Sequence, residues 1–491
     1  MAKPGKTSVT KGAILTVSMR WTDRLIGFIS TLILARLLAP EDFGIIAMAS
    51  LVVGLVDAFL ALGVHVALIQ NNNADQAHYN TAWTLRLAQL SIAAALIFLA
   101  APHAAVYFND PRIIPVLRFM AVGMLLMGIE NIGIVSFQKE MRFGMDFQFA
   151  FVKRIAAFVI TITAAWVLKN YWALVIGNLA GRAIGVVLSY QMHSMRPRFS
   201  LEKVKEIFSF SQWMLVSSIA AYLNRSLDNM LVGRHENATV VGGYTLANEI
   251  SAMPTTEVLA PLNRVLFPAF VEAKKNLDEL KRLYLLAQGV QSLIGMAAGV
   301  GLALVANEAV AVLLGDKWMF VVPFVQILAL AYVIESIATS AGYVLITLGR
   351  VRSAAFVSLL QVGLFAAGVF LILTDIEAYQ LAVVRVAAVL AGLIVSFWLL
   401  KLALSNISLM DIIRTVIRPF LATGAMAMAV IAMGEVVHAG PLVELFIKIV
   451  TGVLSYPLAI LLMWYLVGQP EGAELYLLNK VRSSLPFMRH T

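Results

Sequence analysis

Runs of about twenty or more mostly apolar residues, separated by short polar turns, recur along the whole chain at 13–38, 43–69, 79–101, 113–137, 146–168, 171–192, 208–233, 239–267, 282–305, 320–348, 352–374, 377–403, 410–437 and 441–467. Each is long enough to cross a hydrocarbon layer of ~30 Å as a helix. Alternation with a period of two is absent, which argues against the strands of an outer-membrane barrel. The pattern therefore predicts an all-α membrane protein with about 14 transmembrane helices. The turns PED, LKN, TDIE and VVHAGP, all on one side, are too short to hold a folded domain. The N-terminal stretch MAKPGKTSVTKGAIL is basic, but the run behind it carries Arg20, Asp23 and Arg24 and no small-residue cleavage site follows. A retained first helix is expected, not a signal peptide.

Basic residues collect in alternate turns. Lys3, Lys6 and Lys11 precede the first run, Lys139 and Arg142 follow the fourth, and Arg196, Arg198, Lys203 and Lys205 follow the sixth. Lys274, Lys275, Lys281 and Arg282 follow the eighth, Arg350 and Arg352 the tenth, and Lys480, Arg482 and Arg489 lie at the end. The positive-inside bias then puts both termini in the cytoplasm. This asymmetry accounts for the net charge of +9, so no nucleic-acid partner is expected. A 60% hydrophobic share with only 13% charged residues agrees with a lipid-facing surface. The absence of cysteine excludes disulfides, thiolate metal sites and thiol nucleophiles. No nucleotide loop, His-Glu-x-x-His helix or Gly-x-Ser-x-Gly elbow occurs, and the histidines are scattered. No catalytic residue, metal site or cofactor is expected, and the chain is not read as an enzyme.

The two halves echo each other. ILARLLAPEDFGIIAMA (33–49) has a counterpart in MLVGRHENATVVGGYTLA (230–247), and the segment 99–131 parallels 304–336, with Pro115 matching Pro323. Offsets of roughly 200 residues describe a parallel repeat of six helices, a common transporter plan with substrate held where the halves meet. The expected organisation is an N-lobe over 1–195 (helices 1–6), a cytoplasmic amphipathic linker over 196–212, and a C-lobe over 213–405 (helices 7–12). Two extra helices follow over 406–468, then a cytoplasmic tail over 469–491. Phe199, Val204, Ile207 and Phe208 alternate with charged residues in the linker, which fits either a helix on the membrane surface or a plain connection.

The segment LARLLAPEDFGIIAMASLVVGLVDAFLALGVHVALIQ, with SFQKEMRFGMDF (136–147) and GGYTLANEISAMPTTEVLAPLNRVLFPAF (242–270), resembles the polysaccharide transporter family of the multidrug/oligosaccharidyl-lipid/polysaccharide exporter superfamily. The similarity extends over about residues 10 to 405 and is nearest the teichuronic-acid, colanic-acid and exopolysaccharide branch. The resemblance implies two lobes in a V-shaped arrangement like that of the multidrug exporters, with the first, second, seventh and eighth helices at its centre. It also implies a flippase that carries undecaprenyl-diphosphate-linked oligosaccharide from the cytoplasmic to the periplasmic leaflet of the bacterial inner membrane by alternating access. Exopolysaccharide, capsule or O-antigen synthesis would be served. Implied partners are the lipid-linked oligosaccharide, membrane lipids, and the polysaccharide polymerase and chain-length machinery. A lipid II flippase or a multidrug exporter of the same superfamily is the alternative, and a membrane glycan polymerase or acyltransferase a more distant one.

Charged residues inside the runs are costly in lipid and mark candidate sites. A diphosphate needs cationic, paired donors, which arginine supplies. Arg20 and Arg24 share a helical face near the cytoplasmic end, where they either meet the diphosphate or snorkel to headgroups, with Asp23 beside them. Arg225 and Asp228 repeat the same spacing, and Arg182 lies too deep to snorkel. Asp57, Glu130, Glu249, Glu257 and Glu335 are expected either to couple transport to H⁺ or Na⁺, or to balance these cations. Arg86, Arg118, Lys153, Arg154, Arg264 and Arg385 lie nearer run ends and read as interfacial anchors.

Overall fold

The computed structural model describes residues 6–60, 63–71, 73–372, 377–470 and 472–484, with the side chains of 6–20, 70, 208–217, 220, 257, 372 and 481–484 outside the description. All regular structure among the described residues is helical. Among the described residues ten helices are long and apolar enough to cross a membrane, and an eleventh joins them if a bent pair is one span. The other three expected spans are also helical, but charged and polar residues interrupt them. Apolarity alone thus accounts for ten or eleven crossings, not fourteen. Contacts divide the chain into Met1–Gly242 and Gly243–Thr491.

The first unit holds α1 (Lys6–Leu37), α2 (Pro40–Leu60), α3 (Val64–Gln70), α4 (Gln76–Phe108), α5 (Ile113–Ile129), α6 (Val135–Lys139), α7 (Phe143–Leu168), α8 (Trp172–Met192), α9 (Val204–His235) and the start of α10 (Ala238–Ala252). α4 pairs with α5 and α7 with α8, while α1 lies along α7 and α9 along α2 and α4. Gly177, Gly181 and Gly185 set the α7–α8 spacing: a Cβ on Gly177 would overlap Thr161, and one on Gly181 would come within 2.8 Å of Ala157. Small residues one turn apart let membrane helices gain dispersion contacts that larger side chains would forbid. Asp75 caps α4 by accepting the His78 backbone N–H, and the His78 ring returns a bond to it. α5 ends at Ile129, and the chain bends by 64° before Ile132–Lys139. Extended backbone at Glu130 makes that break, and Asn131 holds it by accepting the Gly133 N–H at 2.9 Å.

Between α8 and α9, residues 193–201 are irregular, and α9 runs unbroken from Val204 to His235. Polar side chains fasten this connection to α4. Ser200 donates its N–H to Thr84, Lys203 to Thr81 and Arg198 to Asn80. The buried His78 ring bridges Asp75 at 2.7 Å and Glu206 at 2.9 Å. Hydrogen bonds from His78 hold the carboxyls of both below the ordinary carboxylate range.

The second unit continues through α11 (Val258–Ala273), α12 (Leu277–Leu304), α13 (Ala306–Leu313), α14 (Val322–Thr347), α15 (Val351–Ile372), α16 (Ala378–Ala403), α17 (Leu409–Val436), α18 (Pro441–Leu466) and α19 (Ala473–Ser484). Between α10 and α11, Met253–Glu257 forms a single wide π turn. Pro254 lacks an N–H and its ring crowds the preceding turn, which opens the helix there. α12 is the centre of this unit, packed against α14 and α17.

The pair α17–α18 is tied to α12 and α13 by polar contacts. Lys281 meets Asp411 at 2.7 Å, Tyr456 donates to the Leu293 carbonyl at 2.7 Å, and Lys448 crosses Gly434 to reach the buried Glu308 at 2.7 Å. Removing one member of a buried ion pair strands the other. Lys448→Met should therefore lower unfolding free energy by about 3 kcal/mol. Adding Glu308→Gln should restore most of that loss, read as the thermal midpoint of the protein in detergent. Equal midpoints for wild type and the single variant would show that the pair does not hold α18.

Candidate functional site

A cavity of about 540 Å³ opens inside the first unit between α1, α7 and α8. α1 supplies Asp23, Ser30 and Thr31, α7 supplies Lys153, Arg154 and Thr161, and α8 supplies Asn178 and Arg182. Helix geometry explains the convergence. Lys153 and Arg154 leave α7 one position apart, and Arg154 extends across Gly27 of α1, where a Cβ would lie 2.7 Å from the guanidinium. Lys153 passes over Gly185 and Arg182 over Gly123 of α5. Glycine under a long cationic chain lets the charged end reach inward without displacing a helix.

Behind the cavity these cations join a network. Glu130, buried at the α5 break, accepts from Arg86 of α4 at 3.0 Å and from Lys153 at 3.3 Å. Arg182 is close enough to act electrostatically on both Asp57 of α2 and Glu130. Arg154 pairs with Asp23 at 3.3 Å. Four cations (Arg86, Lys153, Arg154 and Arg182) thus face three carboxylates (Asp23, Asp57 and Glu130). One Arg86 nitrogen, Nη1, is buried without a hydrogen-bond partner among the described residues. A site with surplus positive charge and fixed hydroxyl and amide groups can exchange the water around an anion for directed donors.

Of the expected residues, the structure brings Asp23, Asp57, Glu130 and Arg182 into this one region. Arg24 is half-buried on α1, whereas the side chains of Arg20 and Glu257 lie outside the described residues. Arg225 is exposed and Asp228 buried on α9, and Glu249 is exposed on α10. Glu335 lies in the second unit, where Arg385 of α16 pairs with it at 3.2 Å. Arg86, Lys153, Arg154 and Arg385, expected as interfacial anchors, each reach a carboxylate. Arg118 is exposed and lies over the Phe98 ring. The missed signal was depth. Arg86 and Glu130 fall at similar distances from the same membrane face on neighbouring runs, and opposite charges at equal depth form pairs.

The fold matches solved carriers. The lipid II flippase MurJ in an inward closed conformation superposes with a TM-score of 0.75 at 10% identity, covering 92% of this chain and 99% of that one. An inward-facing multidrug resistance MATE family transporter of the MOP superfamily gives 0.62 at 14% identity, over 78% of this chain and 94% of that one. The chain therefore shares the all-helical fold of these two proteins. The chain belongs to the polysaccharide biosynthesis protein family, which matches residues 33–323. It is similar to the lipopolysaccharide biosynthesis protein WzxC of Escherichia coli K12, at 25% identity over 66% of this chain and 67% of that protein. The teichuronic acid biosynthesis protein TuaB of Bacillus subtilis is 23% identical over 76% and 78%, and the succinoglycan biosynthesis transport protein ExoT of Rhizobium meliloti 26% identical over 62% of each. These likenesses are to transport and polysaccharide assembly proteins.

Proposed function

We propose that the chain carries undecaprenyl-diphosphate-linked oligosaccharide from the cytoplasmic to the periplasmic leaflet of the bacterial inner membrane, with both termini cytoplasmic. The observation that carries this reading is the cationic cavity of the first unit, which lies among helices of otherwise apolar sequence. A diphosphate cannot cross hydrocarbon bare, and Lys153, Arg154 and Arg182 supply charge-assisted donors at the required depth. Ser30, Thr31, Thr161 and Asn178 add neutral donors and acceptors suited to sugar hydroxyls. The prenyl chain stays in lipid. Asp57 and Glu130 are the groups through which H⁺ or Na⁺ would couple to transport, since either ion would weaken their hold on Arg182 and free it for phosphate. Polymerase and chain-length proteins would receive the delivered repeat unit.

The test is complementation of a deletion strain with Arg182→Ala and with Lys153→Ala, Arg154→Ala. Surface polymer should fall by about tenfold or more at equal membrane abundance, as expected for losing a hydrogen bond to a charged group. Lipid-linked repeat units should accumulate on the cytoplasmic side. Wild-type export by both variants would refute the phosphate role, and lipid II accumulating in place of glycan repeat units would refute the cargo.

A further inference from the structure

A second cavity, of about 560 Å³, lies wholly within the second unit where α12, α17 and α19 converge. The basic cluster Lys274, Lys275, Lys281 and Arg282 at the start of α12 marks this end as cytoplasmic. α19 closes one side. Its Ala473 meets Gly289 so tightly that a Cβ there would stand 2.7 Å away. Its buried Glu474 takes the Arg418 fork, with Nε to Oε1 at 3.1 Å and Nη2 to Oε2 at 3.4 Å. Arg418 is thereby committed to structure.

The charges left on the wall are Glu279 and Arg282 of α12, both exposed and neither in an ion pair among the described residues. Below them Leu283, Leu286, Leu293 and Pro419 form an apolar floor. This combination selects a ligand class. Cations alone would accept any anionic headgroup, but a carboxylate one helical turn from the guanidinium repels a net negative one. Residues three apart on a helix stand about 5–6 Å apart at Cβ, the scale of the phosphate–ammonium separation in a zwitterionic headgroup. The floor offers the glycerol-proximal part of acyl chains an apolar surface at the membrane boundary.

We propose that this cavity binds a zwitterionic aminophospholipid of the cytoplasmic leaflet, its phosphate on Arg282, its ammonium on Glu279 and its chains over Leu283 and Leu286. The bound lipid covers the α12 wall of the cavity that α19 closes on its other side. Nothing in this inference depends on the transported cargo, because it is read by binding alone.

The test uses full-length, delipidated protein in detergent, with native mass spectrometry and thermal unfolding as readouts. Phosphatidylethanolamine should be retained over phosphatidylglycerol by about tenfold and should raise the thermal midpoint, the discrimination expected for one well-placed charged hydrogen bond. Glu279→Lys should reverse the preference toward phosphatidylglycerol, and Arg282→Gln should abolish retention of both. Because both side chains are exposed, elution as monodisperse folded protein is expected for either variant. Soluble phosphoethanolamine should not compete. Equal retention of the two lipids, indifference to Glu279→Lys, saturation by phosphoethanolamine, or displacement by a prenyl diphosphate would each overturn the proposal.

Discussion

Glu130→Ala should be the most damaging single substitution in the first unit, lowering unfolding free energy by about 5 kcal/mol and abolishing export. The carboxylate is buried and takes hydrogen bonds from Arg86 and Lys153 on two different helices. Its loss leaves those cations, and Arg182 behind them, in a region of low polarisability where water cannot replace the missing charge. Arg86 is the more severely stranded, since one of its nitrogens already lacks a partner. Glu130→Gln keeps the shape and one acceptor oxygen but removes the charge, so about half the loss should remain. Pairing Glu130→Ala with Arg86→Met should recover stability without recovering export, because the Arg86–Glu130 pair would be removed whole while nothing would hold Lys153 toward the cavity. Thermal midpoints of purified variants and surface polymer in complemented cells separate the two effects. A Glu130→Ala protein as stable as wild type would show that water or lipid headgroups, not the carboxylate, neutralise these cations.

Where the helices lie was legible in the apolar runs. Spans expected at 146–168, 171–192 and 441–467 correspond to Phe143–Leu168, Trp172–Met192 and Pro441–Leu466, because uninterrupted hydropathy and intrahelical hydrogen bonding are read from the same residues. The breaks were less legible. Glu130 was expected within a continuous run, yet extended backbone there bends the chain by 64°. Glu130 and Asn131 stand out as polar in that run, but a charged residue in a membrane helix does not say whether the backbone breaks there. Pro254 stands in the run 239–267, but a proline in a membrane helix does not say whether the outcome is a kink or the wide turn seen at Met253–Glu257.

Partners were hardest to read. Arg182 is expected to lie too deep to snorkel, and in the structure it lines the cavity of the first unit. The run-end residues Arg86, Lys153, Arg154 and Arg385 were assigned to headgroups because long cationic chains generally reach them. Each of them reaches a carboxylate, and such pairing depends on helix rotation, which a sequence of nearly uniform apolarity leaves open. Each unit sets a glutamate toward an arginine two runs further on: Glu335 pairs with Arg385, and Glu130 lies in the field of Arg182. The repeat in the sequence thus extends to the placement of charge.

Gly44→Val and Gly242→Val should each destabilise the protein by at least about 3 kcal/mol, and together by little more than either alone. The starts of α2 and α10 cross with almost no space between them. A Cβ on Gly44 would overlap the Ala238 carbonyl, and one on Gly242 would overlap the Pro40 carbonyl and crowd Gly44. The obstacles are backbone atoms at helix starts, which cannot rotate aside as a side chain can, so one added side chain forces the helices apart. Once they are separated, the second valine enters space already opened, which is why the two effects should not add. Pro40-x-x-x-Gly44 and Ala238-x-x-x-Gly242 are the turn motifs by which the two halves of the sequence first resemble each other, and in both the small residue after the turn is the one at the crossing. Separation of the helices should also expose this polar end of the bundle, so a cysteine placed at Glu41 should label faster with a membrane-impermeant thiol reagent in either valine variant. Additive destabilisation would mean that the two glycines serve separate contacts, and unchanged labelling would mean that α2 and α10 stay together when the crossing is filled.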